Sequence, residues 1–289
     1  MISRVYGIDF SSAPTPRKPI TIAIGELAGT EYQLQQVVEV GDWSQFDDFL
    51  NHPGPWLAGF DLPFSLPRAL IEHYRWPTQW PVFIRWYGQQ PRAELRLAFK
   101  MFCDARPVGN KFVYRKTDRP AGSSPAMRWT NPPVAWMLHA GAPRILHAGL
   151  HLPGLMEGID APAQRRIALE AYPGYTARKI TRHSYKSDDP GKHTQERRDA
   201  RRAIVNGLLD TGLASGLNVG LGVSRAWKQK LIDDPKGDLL DAVICGLQAA
   251  HASLEKNFGF PVDIDPLEGW IASVPPPVQD YDARQDLDA

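Results

Sequence analysis

Cysteine is scarce in this 289-residue chain, neither sign of charge dominates, and no uninterrupted apolar stretch approaches the length of a membrane span. Cys103 and Cys245 are too few and too far apart for a disulfide framework or a zinc ligand set, so an intracellular, cytoplasmic protein is expected. A membrane helix needs about 20 apolar residues, which excludes a membrane-spanning reading. A strand-like segment begins within a few residues of Met1 and leaves no room for a signal peptide. The formal net charge of +1 gives no global attraction for a polyanion, so any phosphate-binding surface has to be local. What the chain does have is size enough to bury roughly 75% of its unfolded surface, and generous proline and tryptophan.

Arg4 to Phe10, Ile20 to Leu27 and Tyr32 to Val40 are β-branched and aromatic runs separated by turn-forming segments, and they predict three antiparallel strands. Phe46, Phe49 and Leu50 have helical spacing, and Trp56 to Phe60 is an apolar run of strand length. The expected unit is β-β-β-α-β, with the fourth strand parallel to the first because a helical crossover connects it to the sheet. Residues 62 to about 160 break this rhythm and read as a partly helical insertion, with helices over Leu95 to Phe102 and Val134 to Leu146. The sheet pattern returns at Arg166 to Tyr172, with a short helix after Pro173-Gly174. Helices follow at Thr194 to Leu209 and Lys236 to Leu254. Residues 1–274 are expected to form a single domain, and 275–289 an acidic tail too poor in apolar residues to pack.

Four acidic sites stand beside these elements. Asp9 and Asp61 each close an apolar run, Glu170 follows Ile167-Ala168-Leu169, and Asp238 and Asp241 lie one helical turn apart at the start of the last helix. Taken singly, each has a plain structural explanation: strand-ending aspartates make Asx turns, and aspartates at a helix start cap it and complement its dipole. Glutamate is a poor strand and turn former, so Glu170 is harder to explain this way. Capping does not require all of them to stand where one sheet would gather them. Together they predict a carboxylate cluster for hard cations, Mg²⁺ or Mn²⁺, two of which about 3.5–4 Å apart can clamp the attacking and leaving oxygens of a phosphodiester.

The β-β-β-α-β opening with Asp9, the Gly-Phe-Asp-Leu-Pro-Phe stretch around Asp61, Glu-Ala-Tyr-Pro-Gly from Glu170 and Asp-Leu-Leu-Asp-Ala from Asp238 resemble the family called domain of unknown function 429. Its members are regarded as predicted nucleases of the ribonuclease H fold, and the resemblance spans nearly the whole chain. The paired aspartates of the last helix also look like those of Holliday-junction resolvases in that superfamily. The resemblance implies an α/β fold with a ribonuclease H-like mixed five-stranded sheet flanked by helices. It also implies that Asp9 bridges two metals, that Asp61 and Glu170 complete the ligand shells, and that Asp241, helped by Asp238, holds the second metal.

Between Arg178 and Arg202 nine Lys/Arg stand against four Asp/Glu, the best local candidate for binding a nucleic-acid backbone. Arg178, Lys179, Arg197 and Arg201 are its expected contacts, with Arg197 and Arg201 one turn apart, and Lys186 is a candidate for reaching a scissile phosphate. A solvated helix face is the competing reading. Tyr74, Trp76, Trp80, Trp86 and Tyr87 could stack bases, but packing of the insertion is the expected role. His147 and His151 have the spacing of a zinc helix, yet no Glu follows His147 and Pro153 ends the segment, so no zinc is expected. Metal-dependent hydrolysis of nucleic acid is therefore the leading expectation. An ATP-dependent phosphotransferase of the actin-like or sugar-kinase type shares the sheet and a first-strand aspartate, but Phe10-Ser11-Ser12 is no glycine-rich phosphate hairpin. A non-catalytic nucleic-acid-binding scaffold is a third reading, and DNA versus RNA and the oligomeric state stay open.

Overall fold

In a computed structural model that describes residues 2–158, 161–212 and 214–276, six strands form one mixed sheet. The strands are β1 (Arg4–Asp9), β2 (Ile20–Ala28), β3 (Glu31–Val40), β4 (Trp56–Asp61), β5 (Arg166–Glu170) and β6 (Gly220–Gly222), in the order β5-β4-β1-β2-β3-β6. β2 runs antiparallel to β1 and β3, whereas β4 is parallel to β1, β5 to β4, and β6 to β3. This is the expected mixed sheet with one short strand added at its edge. Nearly all of the acidic tail, from residue 277 onward, lies outside the described residues.

Helix α1 (Trp43–Leu50) links β3 to β4. Asp42 caps it, its carboxylate accepting the Gln45 N–H at 2.9 Å. The insertion between β4 and β5 holds α2 (Arg68–His73), α3 (Trp80–Gln89), α4 (Arg92–Asp104), the single turn α5 (Asp118–Ala121) and α6 (Val134–His147). Helices α7 (Pro173–Ile180), α8 (Gln195–Leu209), α9 (Arg225–Asp233) and α10 (Asp238–Leu254) follow β5, with β6 between α8 and α9.

Alternation along the strands divides the core into two layers. Tyr6, Ile8, Ile22, Trp56 and Phe60 face one side and share a cluster with α1 and the insertion, including Trp80, Phe83, Tyr87, Phe99 and Trp136. The insertion's aromatic residues are thus largely packing: Trp80 is buried and donates its indole N–H to the Phe64 carbonyl at 2.8 Å, and Trp76 and Trp86 lie 4.9 Å apart against the same core. Val5, Ala23, Leu57, Ile167 and Leu169 face the other side, with apolar residues of α8 and α10.

Two glycines fix how closely α10 lies on that second face. Gly7 and Gly59 pair in register on β1 and β4. A Cβ at Gly7 would stand 1.9 Å from the Ala242 carbonyl oxygen, and one at Gly59 would stand 2.3 Å from that of Cys245. The helix backbone therefore rests directly on strand backbone, and any side chain at either position would push it away.

Candidate metal centre

Residues two apart on a strand share a face, so Asp9 and Asp61 emerge on the side of Gly7 and Gly59 that α10 covers. They are themselves in register, Asp9 opposite Asp61. Asp241 enters from the first turn of α10, and one ligand oxygen from each of the three aspartates lies within 4.8 Å of the others. Asp241 is fully buried, and Asp9 and Asp61 are partly so.

The capping explanation fails for these three. Among the described residues, neither Asp9 nor Asp61 accepts a hydrogen bond from the loop that follows it. At the start of α10 the N-cap is Gly237, and the carboxylate of Asp234 accepts the Leu239 N–H at 3.0 Å. Asp241 instead accepts the Tyr185 hydroxyl at 2.6 Å and pairs with the Lys186 ammonium. Lys186 thus reaches the carboxylate cluster itself; Tyr185 is a site residue with no signal in the sequence beyond its position beside that lysine.

Three carboxylates here are held away from their ordinary ionisation. Burial pushes Asp9 well above the usual carboxylate range, and Asp241 adds to the rise while Lys186 opposes it. Asp61 is pushed up to about 7, by burial first, with Lys186 opposing and Asp241 and Glu170 adding. Asp238 rises to about 6 through burial, reinforced by Asp234 and Asp241. For Lys186, burial pulls the ammonium down, but Asp241, Tyr185, Asp9 and Asp61 together outweigh it and hold the charge well above its ordinary range. One lysine faces several carboxylates, so negative charge in this site exceeds what the protein neutralises.

Glu170 is placed differently from the reading that made it a metal ligand. Its Oε1 meets Arg115 Nη2 at 2.5 Å, and its Oε2 accepts Arg115 Nη1 at 2.7 Å and the Phe64 N–H at 2.9 Å. Asp118 holds the same guanidinium from another side at 2.8 Å. Glu170, Arg115 and Asp118 are all buried, and the fork geometry consumes both glutamate oxygens. Glu170 is held in its own ion pair and stands outside the three-aspartate group, although its charge still acts on Asp61. Asp238 likewise stands beside the group rather than in it.

Most cations of the basic segment are exposed or partly exposed, but Arg201 is turned inward. Arg201 is buried and donates to the carbonyls of Tyr185 at 2.6 Å and Ile232 at 2.8 Å. Arg197 bonds Ser184 Oγ and the Lys186 carbonyl. The two arginines expected as a stripe for a phosphate backbone both bond the loop that delivers Tyr185 and Lys186. Lys179 stacks its ammonium 4.3 Å from the Tyr175 ring centre. Arg178 donates to the Ala121 carbonyl at 2.7 Å, yet it does line the cleft in front of the aspartates.

That cleft has a volume of about 720 Å³, with Asp9 and Asp61 among its lining. Lys18, Arg178, Arg182 and Lys236 contribute cations to it, and Pro132, Pro133, Val134 and Met137 contribute an apolar strip. Among the described residues no metal-ligand group includes a histidine. His139 bonds the Gln90 carbonyl at 3.0 Å and His151 meets Glu157 at 3.1 Å.

Compared with known protein families, curated proteins and solved structures, the chain matches none. The fold, a mixed sheet flanked by helices, is compatible with the ribonuclease H-like superfamily. Among the described residues no helix is long and apolar enough to cross a membrane.

Proposed function

We propose that this protein is a metal-dependent nuclease that hydrolyses phosphodiester bonds in a single nucleic-acid strand. One observation carries the reading: Asp9, Asp61 and Asp241 converge from three elements, and among the described residues neither Asp9 nor Asp61 has a protein hydrogen-bond partner. Crowded, partly buried carboxylates repel one another, and a divalent cation is the natural compensation for several. All-oxygen donors fit Mg²⁺ or Mn²⁺ rather than zinc. Asp9 and Asp61, open to the cleft, would hold the cation together with Asp241, and Asp238 one turn away would assist at a second one. When bound, such ions supply Lewis acidity to a phosphoryl oxygen and activate water for in-line attack.

The protein's own groups complete the site. Tyr185 orients Asp241 through its hydroxyl, and Lys186 balances part of the negative charge. Arg178 and Arg182 offer donors for the strand's phosphates, and the apolar strip at the start of α6 offers a surface for an unpaired base. A cleft with a cationic part and an apolar part supports a substrate whose bases are free to leave the stack. The motif resemblance to the domain of unknown function 429 family supports the same reading.

A cleavage screen tests it, using single-stranded, duplex and branched DNA and RNA with Mn²⁺, Mg²⁺ or a chelator, alongside Asp9→Asn. Metal-dependent cutting of single strands that disappears in the variant is expected. Absence of any cutting, with stabilisation by ATP, would assign the site to phosphoryl transfer from a nucleotide.

A further inference from the structure

Directly opposite Asp9, on the antiparallel neighbour β2, stands Thr21. It is completely buried, and its hydroxyl oxygen has no hydrogen-bond partner. Opposed residues of an antiparallel pair project to the same face, with Cβ atoms roughly 5 Å apart. Thr21 therefore lies on the side of the sheet that carries Asp9, Asp61 and α10. Ala23, two residues along and on the same face, is apolar like the rest of that layer.

A threonine in that position has a cost to explain. A buried hydroxyl without a partner loses its hydrogen bonds to water and regains none, which is unfavourable relative to an apolar group of the same shape. Valine would fill the same space and suit the strand equally well. Among the described residues Asp9 has no hydrogen-bond partner either, so an unused donor and an unused acceptor face each other across one register position. Their separation is within reach of a side-chain rotation, given the roughly 5 Å between their Cβ atoms.

Building on the metal-site reading above, we infer that Thr21 is a positioning residue for the metal centre. Its hydroxyl donates to the Asp9 carboxylate, or to a water between them, when Asp9 holds a cation. Hydrogen bonds from outside a ligand set orient the ligand and hold it in its binding form, and losing one typically costs 10–100-fold in metal affinity. Asp9 in this arrangement is held by strand geometry and by Thr21, as Asp241 is held by Tyr185.

The test is a calorimetric titration of the full chain with Mn²⁺ alone, comparing wild type, Thr21→Val and Thr21→Ser, with melting curves of each metal-free protein. Thr21→Val should bind Mn²⁺ about 10-fold or more weakly, while its metal-free melting temperature equals or exceeds that of wild type. Thr21→Ser, which keeps the hydroxyl, should restore most of the affinity. Equal Mn²⁺ affinity in wild type and Thr21→Val would overturn the proposal and leave the metal site standing. A Thr21→Val protein less stable than wild type without metal would also overturn it, because the hydroxyl would then have a structural partner. A wild type that binds no Mn²⁺ would remove the metal reading and Thr21's role together.

Discussion

Asp9 and Asp61 end two adjacent parallel strands at the same register position, two residues beyond a glycine pair that lets α10 rest on the sheet backbone. The glycines set the depth of the helix, and the depth brings Asp241 to within ligand distance of both. Packing and chemistry in this protein are therefore coupled through the same four positions. Carboxylates that converge in this way repel one another, and burial aggravates the repulsion.

Glu170 separates a structural carboxylate from a metal-binding one. Glu170→Gln removes one partner of a buried Arg115 pair and leaves the guanidinium with Asp118 alone. A loss of roughly 3–5 kcal/mol is expected on breaking such a pair, read by chemical denaturation, with Mn²⁺ affinity changing far less than in Asp9→Asn. A large loss of Mn²⁺ affinity at unchanged stability would instead make Glu170 a ligand.

Arg201 separates a pinned loop from a phosphate contact. Arg201→Met strands the Tyr185 and Ile232 carbonyls, each an unmet acceptor costing on the order of 1–3 kcal/mol if it stays buried. The salt dependence of nucleic-acid binding should be unchanged. Arg182→Ala should lower that slope by about one, since Arg182 lines the cleft. The reverse pattern would return Arg201 to the binding surface.

What the sequence made legible was the part written in local pattern. Apolar runs ending in Asp9 and Asp61, and the long apolar helix beginning near Asp241, each carry their own signal, and the parallel pairing follows from the crossover at α1. The ion pair of Glu170 is not legible, because its partner, Arg115, lies in an irregular stretch 55 residues away where no periodicity announces it. The arginines of α8 looked like a surface because composition cannot show which guanidinium finds a carbonyl. Three-residue β6, between glycines, is too short for alternation to register, and α3, beginning Trp-Pro, was hidden among prolines and tryptophans. Thr21 becomes visible only through strand register.

Stability without metal should depend on pH in a stated window. Asp61 is raised to about 7 in the folded protein, above its unfolded value of about 4. A raised carboxylate favours the folded state fully below the unfolded value, and that contribution is lost as pH climbs through the folded one. The melting temperature of the metal-free protein should therefore carry a component that falls between about pH 4 and pH 7, and Asp61→Asn should flatten it. Metal binding competes with the same protons, so Mn²⁺ affinity should rise over that window. An unchanged profile in Asp61→Asn would show that Asp61 ionises normally.

The most direct test of the metal centre is a pair of melting curves, wild type and Asp9→Asn, with and without Mn²⁺ at neutral pH. The crowded carboxylates predict that Asp9→Asn melts above wild type when both are metal-free, because one repelling charge is gone. They also predict that Mn²⁺ raises the wild-type melting temperature and leaves that of the variant nearly where it was. An equal response of the two proteins to Mn²⁺, or none in either, would contradict the metal centre.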